Sequence, residues 1–317
     1  MKQDHNPVIF WLSLNIFMIF IMALIGAATR LTESGLSITE WNLVMGTLPP
    51  LNEAQWLSEF DKYKATPEFI QRHMWMELSD FKNIYLWEWV HRLWGRLIGL
   101  VYAVPLFYFL VTKKLPQSKI PAFIGLLFLG GLQGFVGWWM VQSGLVDRPD
   151  VSHFRLATHL GLAFLLMSCL LWLTLDIAQP RTKKIDKKAW LALALLSITI
   201  IYGAFVAGLK AGLIYNHFPM MDQGHFLPPE LAIDYLHNSA WIQFTHRWLA
   251  IITGSFILYL AILRRDKILA GLVFLQVALG IFTILSHVNI VLATMHQGGA
   301  ALLLLALIAY THKTGRK

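Results

Sequence analysis

The chain has 317 residues, 56% of them hydrophobic and only 14% charged, with a mean hydropathy of +0.56. These proportions exclude an ordinary soluble domain, in which about a quarter of residues carry charge. The net charge of +8 would suit a nucleic-acid binder, yet Lys and Arg punctuate the gaps between apolar runs and form no basic domain, so no nucleic-acid partner is expected. The single cysteine, Cys169, sits inside an apolar run, which excludes an intramolecular disulfide or a thiolate metal cluster.

In chain order, apolar runs fall near 8–29, 86–111, 119–141, 152–175, 189–208, 238–263, 267–285 and 290–311. Each is long enough to cross a hydrocarbon core of about 30 Å, so the fold class expected is an all-α membrane protein with eight transmembrane helices and lipid as its solvent. Ala23, Ala27 and Ala28 loosely resemble a signal-peptide cleavage site. The length of the first run and its thin charged start argue for a retained span. Positive charge collects after the second span (Lys113, Lys114, Lys119), the fourth (Arg181, Lys183, Lys184, Lys187, Lys188), the sixth (Arg264, Arg265, Lys267) and at the tail (Lys313, Arg316, Lys317). The positive-inside rule then makes both termini cytoplasmic and turns the long loops near 30–85 and 209–237 to the other side.

An internal repeat runs through the chain. Gly26-Ala27 recurs as Gly203-Ala204, and Gly35-Leu36 as Gly212-Leu213, at one constant offset of 177 residues. Further on, His91-Arg92 matches His246-Arg247, Gln133 and Gly137 match Gln276 and Gly280, and Leu156-Ala157-Thr158-His159 matches Leu292-Ala293-Thr294-Met295-His296 with one residue inserted. The chain therefore divides into an N-terminal half, 1–180, and a C-terminal half, 181–317. Each half holds an even number of spans, which predicts two pseudo-symmetric four-helix bundles related by an axis along the membrane normal.

His91, His159, His246 and His296 each fall a few residues after the outer start of an even-numbered span, so they share one layer of the membrane. Ionisable side chains inside a span are costly and mark function. Two histidines per half on different helices, with no thiolate and no carboxylate cluster, suit an imidazole-binding metal; haem fits best, since a porphyrin needs only axial ligands and a dry groove. Gly95, Gly99, Gly130, Gly134 and Gly137 can open that groove, and Trp87, Trp89, Trp94, Trp138, Trp139 and Phe135 can line it. Arg92 and Arg247, each directly after a histidine, suit haem propionates; Arg30 and Lys210 are weaker candidates that also read as interfacial anchors. The other eight histidines, His73, His153 and His312 among them, read as surface residues.

The halves differ at one polar position. Glu88-Trp89-Val90-His91-Arg92 in the first half becomes Gln243-Phe244-Thr245-His246-Arg247 in the second. Glu88 lies three residues before its histidine, on nearly the same helical face, where a carboxylate with a raised pKa can transfer protons or, alternatively, pair with Arg92. This asymmetry assigns chemistry to the first half and a permanent redox cofactor to the second.

These motifs resemble the haem A synthases over nearly the whole chain. They comprise Glu88 to Arg92, the run TRLTESGLSITEW over 29–41 followed by Pro49-Pro50, Asn216-His217-Phe218-Pro219-Met220-Met221-Asp222, His246-Arg247 and His296-Gln297. The resemblance implies oxidation of a ring methyl of haem O to the formyl group of haem A through a hydroxymethyl intermediate. It also implies a haem b cofactor on His246 and His296, and substrate haem O near His91 and His159 with Glu88 important for catalysis. Implied partners are a haem O synthase, oxidase assembly factors and an electron acceptor without assigned identity; a homo-oligomer is a further expectation. The first outer loop lacks the cysteine pair of some members, so the chain resembles the cysteine-free branch of proteobacteria and mitochondria, and its start favours a bacterial inner membrane. Two other readings of the residues stay open: a dihaem electron-transfer cytochrome that modifies nothing, and a transporter, which the apolar midplane disfavours.

Overall fold

The computed structural model describes residues 5–41, 45–146, 148–182, 184, 186–222, 224–228 and 234–315; Lys183, Arg316 and Lys317 of the charge pattern lie outside the described residues. Among the described residues there are nine α-helices: α1 (Asn6–Leu31), α2 (Glu53–Lys64), α3 (Leu78–Val111), α4 (Ile120–Leu145), α5 (His153–Ala178), α6 (Lys187–Gly208), α7 (Ser239–Leu263), α8 (Lys267–Leu285) and α9 (Ile290–Thr314). All except α2 are long and apolar enough to cross a membrane. Their starts carry local stop and start chemistry. Proline occupies the first turn of α1 and α4, where its missing N–H costs nothing. Asp186, Asn238, Asp266 and Asn289 cap α6, α7, α8 and α9 by accepting from free first-turn amides.

Seven spans agree with the apolar runs to within four residues at either end, and α3 does not. It begins at Leu78 and runs for 34 residues, about 50 Å at 1.5 Å per residue, well beyond a hydrocarbon core of about 30 Å. Its first two turns carry Asp80 and Lys82 and read as loop in the sequence. They are helical because Phe81 and Tyr85 bury against Phe60 and Tyr63 of α2, forming a small apolar core outside the apolar run.

The main core is shared by both halves. Trp11 and Leu12 of α1, Met167 and Leu170 of α5, Ala192 of α6 and Leu307 of α9 belong to one buried cluster. Close approach of α1, α5, α6 and α9 rests on small residues. At Gly298 a Cβ would stand 2.8 Å from Leu24 Cδ2, and at Gly208 it would stand 2.6 Å from His153 Cβ and 2.7 Å from its Cα. Gln297 ties the same seam by donating to the Ala23 carbonyl at 2.6 Å.

Because Gly208 meets backbone, which cannot swing aside, Gly208→Ala should destabilise the protein by about 1–3 kcal/mol, read as a lowered unfolding midpoint in detergent. Gly125→Ala, where nothing stands within 4 Å of the new methyl, should leave the midpoint unchanged or raise it slightly.

Candidate functional site

A cavity of about 820 Å³ opens among α1, α3, α4 and α5 and reaches α6 and α9. Glu88, His91, Arg92 and His159 all line it, so the four charged or ionisable residues expected in the first-half site meet in one space. Its width comes from missing side chains: a Cβ at Gly99, Gly130 or Gly134 would touch nothing within 4 Å. Of the six aromatic residues expected to line it, only Trp138 and Phe135 do so. Trp87 is exposed, Trp89 packs against the outer apolar core, Trp94 donates to Met18 O on α1, and Trp139 stacks under Arg155. Tryptophan near a span end follows interfacial and packing demands as readily as those of a pocket.

Each of the four histidines rests on a glycine of a neighbouring helix. A Cβ on Gly26 of α1 would stand 3.2 Å from His91 Nε2. Cβ atoms on Gly137, Gly203 and Gly280 would stand 2.8, 3.0 and 2.9 Å from Cε1 of His159, His246 and His296. The repeat contained all four glycines, but nothing in their spacing said that each makes room for an imidazole. The second shared residue is a glutamine: Gln133 Nε2 lies 3.2 Å from His159 Nδ1 and donates to the His159 carbonyl at 3.1 Å. Gln276 repeats both contacts at His296, at 3.2 and 3.0 Å.

His246 and His296 face each other, ring centroids 6.5 Å apart and planes nearly perpendicular at 83°. Metal–imidazole bonds of about 2 Å put two axial imidazoles roughly 6 Å apart between centroids, so one iron fits between these rings. His246 Nδ1 lies 3.1 Å from Thr199 O, which keeps the proton on that nitrogen and leaves Nε2 as the ligand atom. Arg247 is 5% exposed and donates through Nη1 to Met220 O at 2.7 Å. Its Nε and Nη2 have no hydrogen-bond partner among the described residues. Two unpaired guanidinium nitrogens in a buried place are what an anionic propionate satisfies. Among the described residues no three His, Cys, Asp or Glu side chains converge on one point, so the donor set suits an iron already held by a porphyrin better than a bare ion.

Glu88 is 3% exposed and fully engaged. Oε2 accepts from Ser37 Oγ and Ile38 N, both at 2.8 Å, and Oε1 accepts from Arg92 Nε at 3.0 Å and Nη2 at 2.7 Å. Of the two roles open to Glu88, the structure displays the ion pair. Arg92 also donates to Ile38 O and Glu40 O, so its guanidinium is spent on Glu88 and the outer loop. In the second half the equivalent pair grips a loop too, but with opposite polarity: Gln243 donates to Tyr215 O at 2.9 Å.

A charged network closes the outer mouth. Glu33 pairs with Lys210 of the other half, Arg72 pairs with Asp150, and Lys210 stands 3.6 Å from Asp150. Burial would raise the Glu33 and Asp150 carboxyls, but these cations outweigh it and hold both below their ordinary values. Glu68 also lines the cavity, and there burial wins, pushing its carboxyl up to about 8. Three histidines read as surface residues are buried: His73 beside Tyr63, His153 within 2.9 Å of Leu236 O, and His312 within 2.8 Å of Asp176. The partners of His153 and His312 lie 83 and 136 residues away, which a local reading does not bring together. His217, His225, His237 and His287 are exposed, as expected.

Fold and site define the class: a multi-pass helical membrane protein with paired intramembrane histidines, one pair on a large cavity and the other closed on itself. The chain belongs to the cytochrome oxidase assembly protein family, whose model matches residues 9–308. It is 50% identical to a heme A synthase of Rhodospirillum centenum over 96% of this chain and 87% of that protein. A heme A synthase of Flavobacterium johnsoniae is 43% identical over the whole of both chains, and one of Caulobacter vibrioides is 41% identical over 100% of this chain and 98% of its own. A carrier that modifies nothing finds no support among these relatives.

The carboxyls make stability depend on pH in two directions. Glu68, raised from 4.5 to about 8, binds an extra proton in the folded state between those values, so stability grows as pH falls through that window. Glu33 and Asp150, held below 4.5 and 3.8, contribute stability present above those values and lost as pH falls through their folded ones. The unfolding midpoint in detergent should therefore rise from pH 8 toward 5 and fall at more acid pH. Glu68→Gln should remove the first limb and Lys210→Met should shrink the second, with Arg72 still pairing both carboxyls; identical profiles in all three proteins would contradict the assignment.

Proposed function

We propose that this chain is a haem A synthase of the bacterial inner membrane, oxidising a ring methyl of haem O through a hydroxymethyl stage to the formyl of haem A. The observation that carries this reading is the cavity that joins His91, His159 and Glu88, set beside a second histidine pair whose rings lie 6.5 Å apart. Residues 1–180 take the substrate and residues 181–317 the cofactor, with both termini cytoplasmic. Eight apolar helices and bacterial relatives fit the location.

In the first half, His91 and His159 hold the substrate iron, and the glycine-walled space takes the flat ring and its apolar tail. Glu88 acts as a fixed negative charge in a dry wall, favouring positive charge that develops as electrons leave the methyl group. Both its oxygens are committed, so it also sets the position of Ser37 and Ile38 above the substrate. Arg92 pairs with Glu88 and holds the outer loop through Ile38 O and Glu40 O. In the second half, His246 and His296 would hold haem b, and Arg247 would offer two nitrogens to a propionate. When bound, haem b would supply one-electron redox chemistry. Gln133 and Gln276 fix the rings of His159 and His296 through contacts to Nδ1 and to the backbone carbonyl. A haem O synthase as supplier, an electron acceptor in the membrane and a homo-oligomer belong to the same reading.

The test is haem extraction and mass analysis from membranes where the chain is co-produced with a haem O synthase in a host that makes no haem A. Haem A or its hydroxymethyl precursor is the expected product; haem B and haem O alone, from folded protein with a b-type spectrum, would overturn the assignment. Glu88→Gln should leave that spectrum intact and cut product formation by about a hundredfold or more. Substituting Ala for His246 or His296 should abolish the spectrum, whereas His91→Ala should retain it.

A further inference from the structure

Three polar side chains of the first outer loop take no part in the steps above. Glu68, Tyr63 and His73 are 4%, 0% and 7% exposed, and Tyr63 packs its ring against Phe69 and Phe81 in the outer apolar core. Polar groups in such a place cost free energy unless they satisfy one another, and these do. The Tyr63 hydroxyl is 3.0 Å from Glu68 Oε2 and 2.7 Å from His73 Nδ1. The far nitrogen of that ring, Nε2, lies 3.5 Å from Glu33 Oε2. Glu68 and Glu33 both line the cavity with Glu88 and His91, but Glu68 is buried whereas the Glu33 side chain is 37% exposed at the outer mouth. Three successive contacts therefore run from the cavity wall to water.

We propose that Glu68, Tyr63 and His73 form a proton relay between the cavity and the outer aqueous face, with Glu33 as its exit. The proposal rests on reading the cavity as the place of methyl oxidation, since a C–H bond that loses electrons there leaves a proton that has to reach water. Glu68 passes its proton to the Tyr63 oxygen as Tyr63 passes its own to His73 Nδ1. The Nε2 proton of the resulting imidazolium then goes to Glu33 and on to water. One O–H or N–H bond breaks for each that forms, and nothing in the relay is oxidised or reduced. A proton from the cavity recharges Glu68, and rotation of the His73 ring away from Tyr63 lets the Nδ1 proton leave to water as Nε2 regains one, before the ring returns.

The charges around the relay are arranged for this direction. Tyr63 of α2, Glu88 of α3, Glu33 from the turn after α1 and Arg72 from its own loop face Glu68. Burial makes Glu68 keep its proton up to about pH 8. Glu33, beside Lys210, Arg72 and His73, is held low and releases one readily.

The full-length protein in detergent, examined by infrared spectroscopy, gives a readout independent of turnover. A protonated-carboxyl band should disappear near pH 8 in the wild type and be absent in Glu68→Gln. In Tyr63→Phe, which keeps the ring in its apolar seat, the band should persist but exchange with heavy water about tenfold more slowly. In the co-production assay both variants should form haem A about tenfold more slowly with the b-type spectrum unchanged. Tyr85→Phe, a hydroxyl of the same apolar core outside this chain of contacts, should match the wild type. Wild-type band exchange in Tyr63→Phe together with wild-type haem A formation in both Glu68→Gln and Tyr63→Phe would overturn the relay. If exchange behaves as expected but the wild type forms no haem A, the relay stands as a proton path and the synthase reading falls.

Discussion

Four imidazole rings inside a membrane bundle are possible only where a neighbouring helix comes close enough to enclose them without a side chain in the way. Gly26, Gly137, Gly203 and Gly280 provide that opening, each against one histidine. The rest follows from this constraint. Glycine at the contact removes the Cβ that would strike the ring, and the ring then occupies the gap between helices, where no water competes for its nitrogens. Gln133 and Gln276 add a hydrogen bond to the ring and one to its backbone carbonyl, which fixes the rotamer. Even-numbered spans carry the histidines and odd-numbered spans carry their seats, so every site depends on two helices meeting in register.

The two halves use this shared device for different ends, and the difference lies in packing as well as in the Glu88 and Gln243 exchange. Around His91 and His159 the glycines of α3 and α4 face empty space, leaving a cavity of about 820 Å³. Around His246 and His296 the rings approach to 6.5 Å. On the proposed reading, the wide site takes the substrate and the closer pair the resident group. Glu88 accepts hydrogen bonds from Ser37 and Ile38, while Gln243 donates one to Tyr215. Glu88 is thus paired with Arg92 at the first site, where the second carries the neutral Gln243.

Outside the apolar run, α2 and the first turns of α3 build a second, small core that roofs the open site. Aromatic side chains supply its stability, and the polar groups inside it are paired with one another. The outer network ties this roof to the other half through the Glu33 and Lys210 pair, whose members occupy equivalent repeat positions at the offset of 177 residues. Both residues adopt positive φ, at 52°, so the chain makes the same turn after α1 and after α6, and the turns then meet as opposite charges.

Hydrophobic runs are a property of local sequence, so the eight spans were legible with ends accurate to a few residues wherever the apolar run and the helix coincide. The histidines and their repeat were legible for the same reason: intramembrane ionisable residues are rare, and four matched ones stand out. Local sequence could not reveal the early start of α3, because amphipathic turns outside the bilayer are helical only when α2 covers them. Nor could it reveal the burial of His73, His153 and His312, whose partners are up to 136 residues away. The same holds for the double engagement of Glu88 and for the role of four ordinary-looking glycines. The sequence by itself determined what crosses the membrane and which side chains are too costly to be there without a purpose. Only the tertiary structure decided which of them share a space, because distances between helices depend on side chains that are absent at the contact, and no periodicity records an absence.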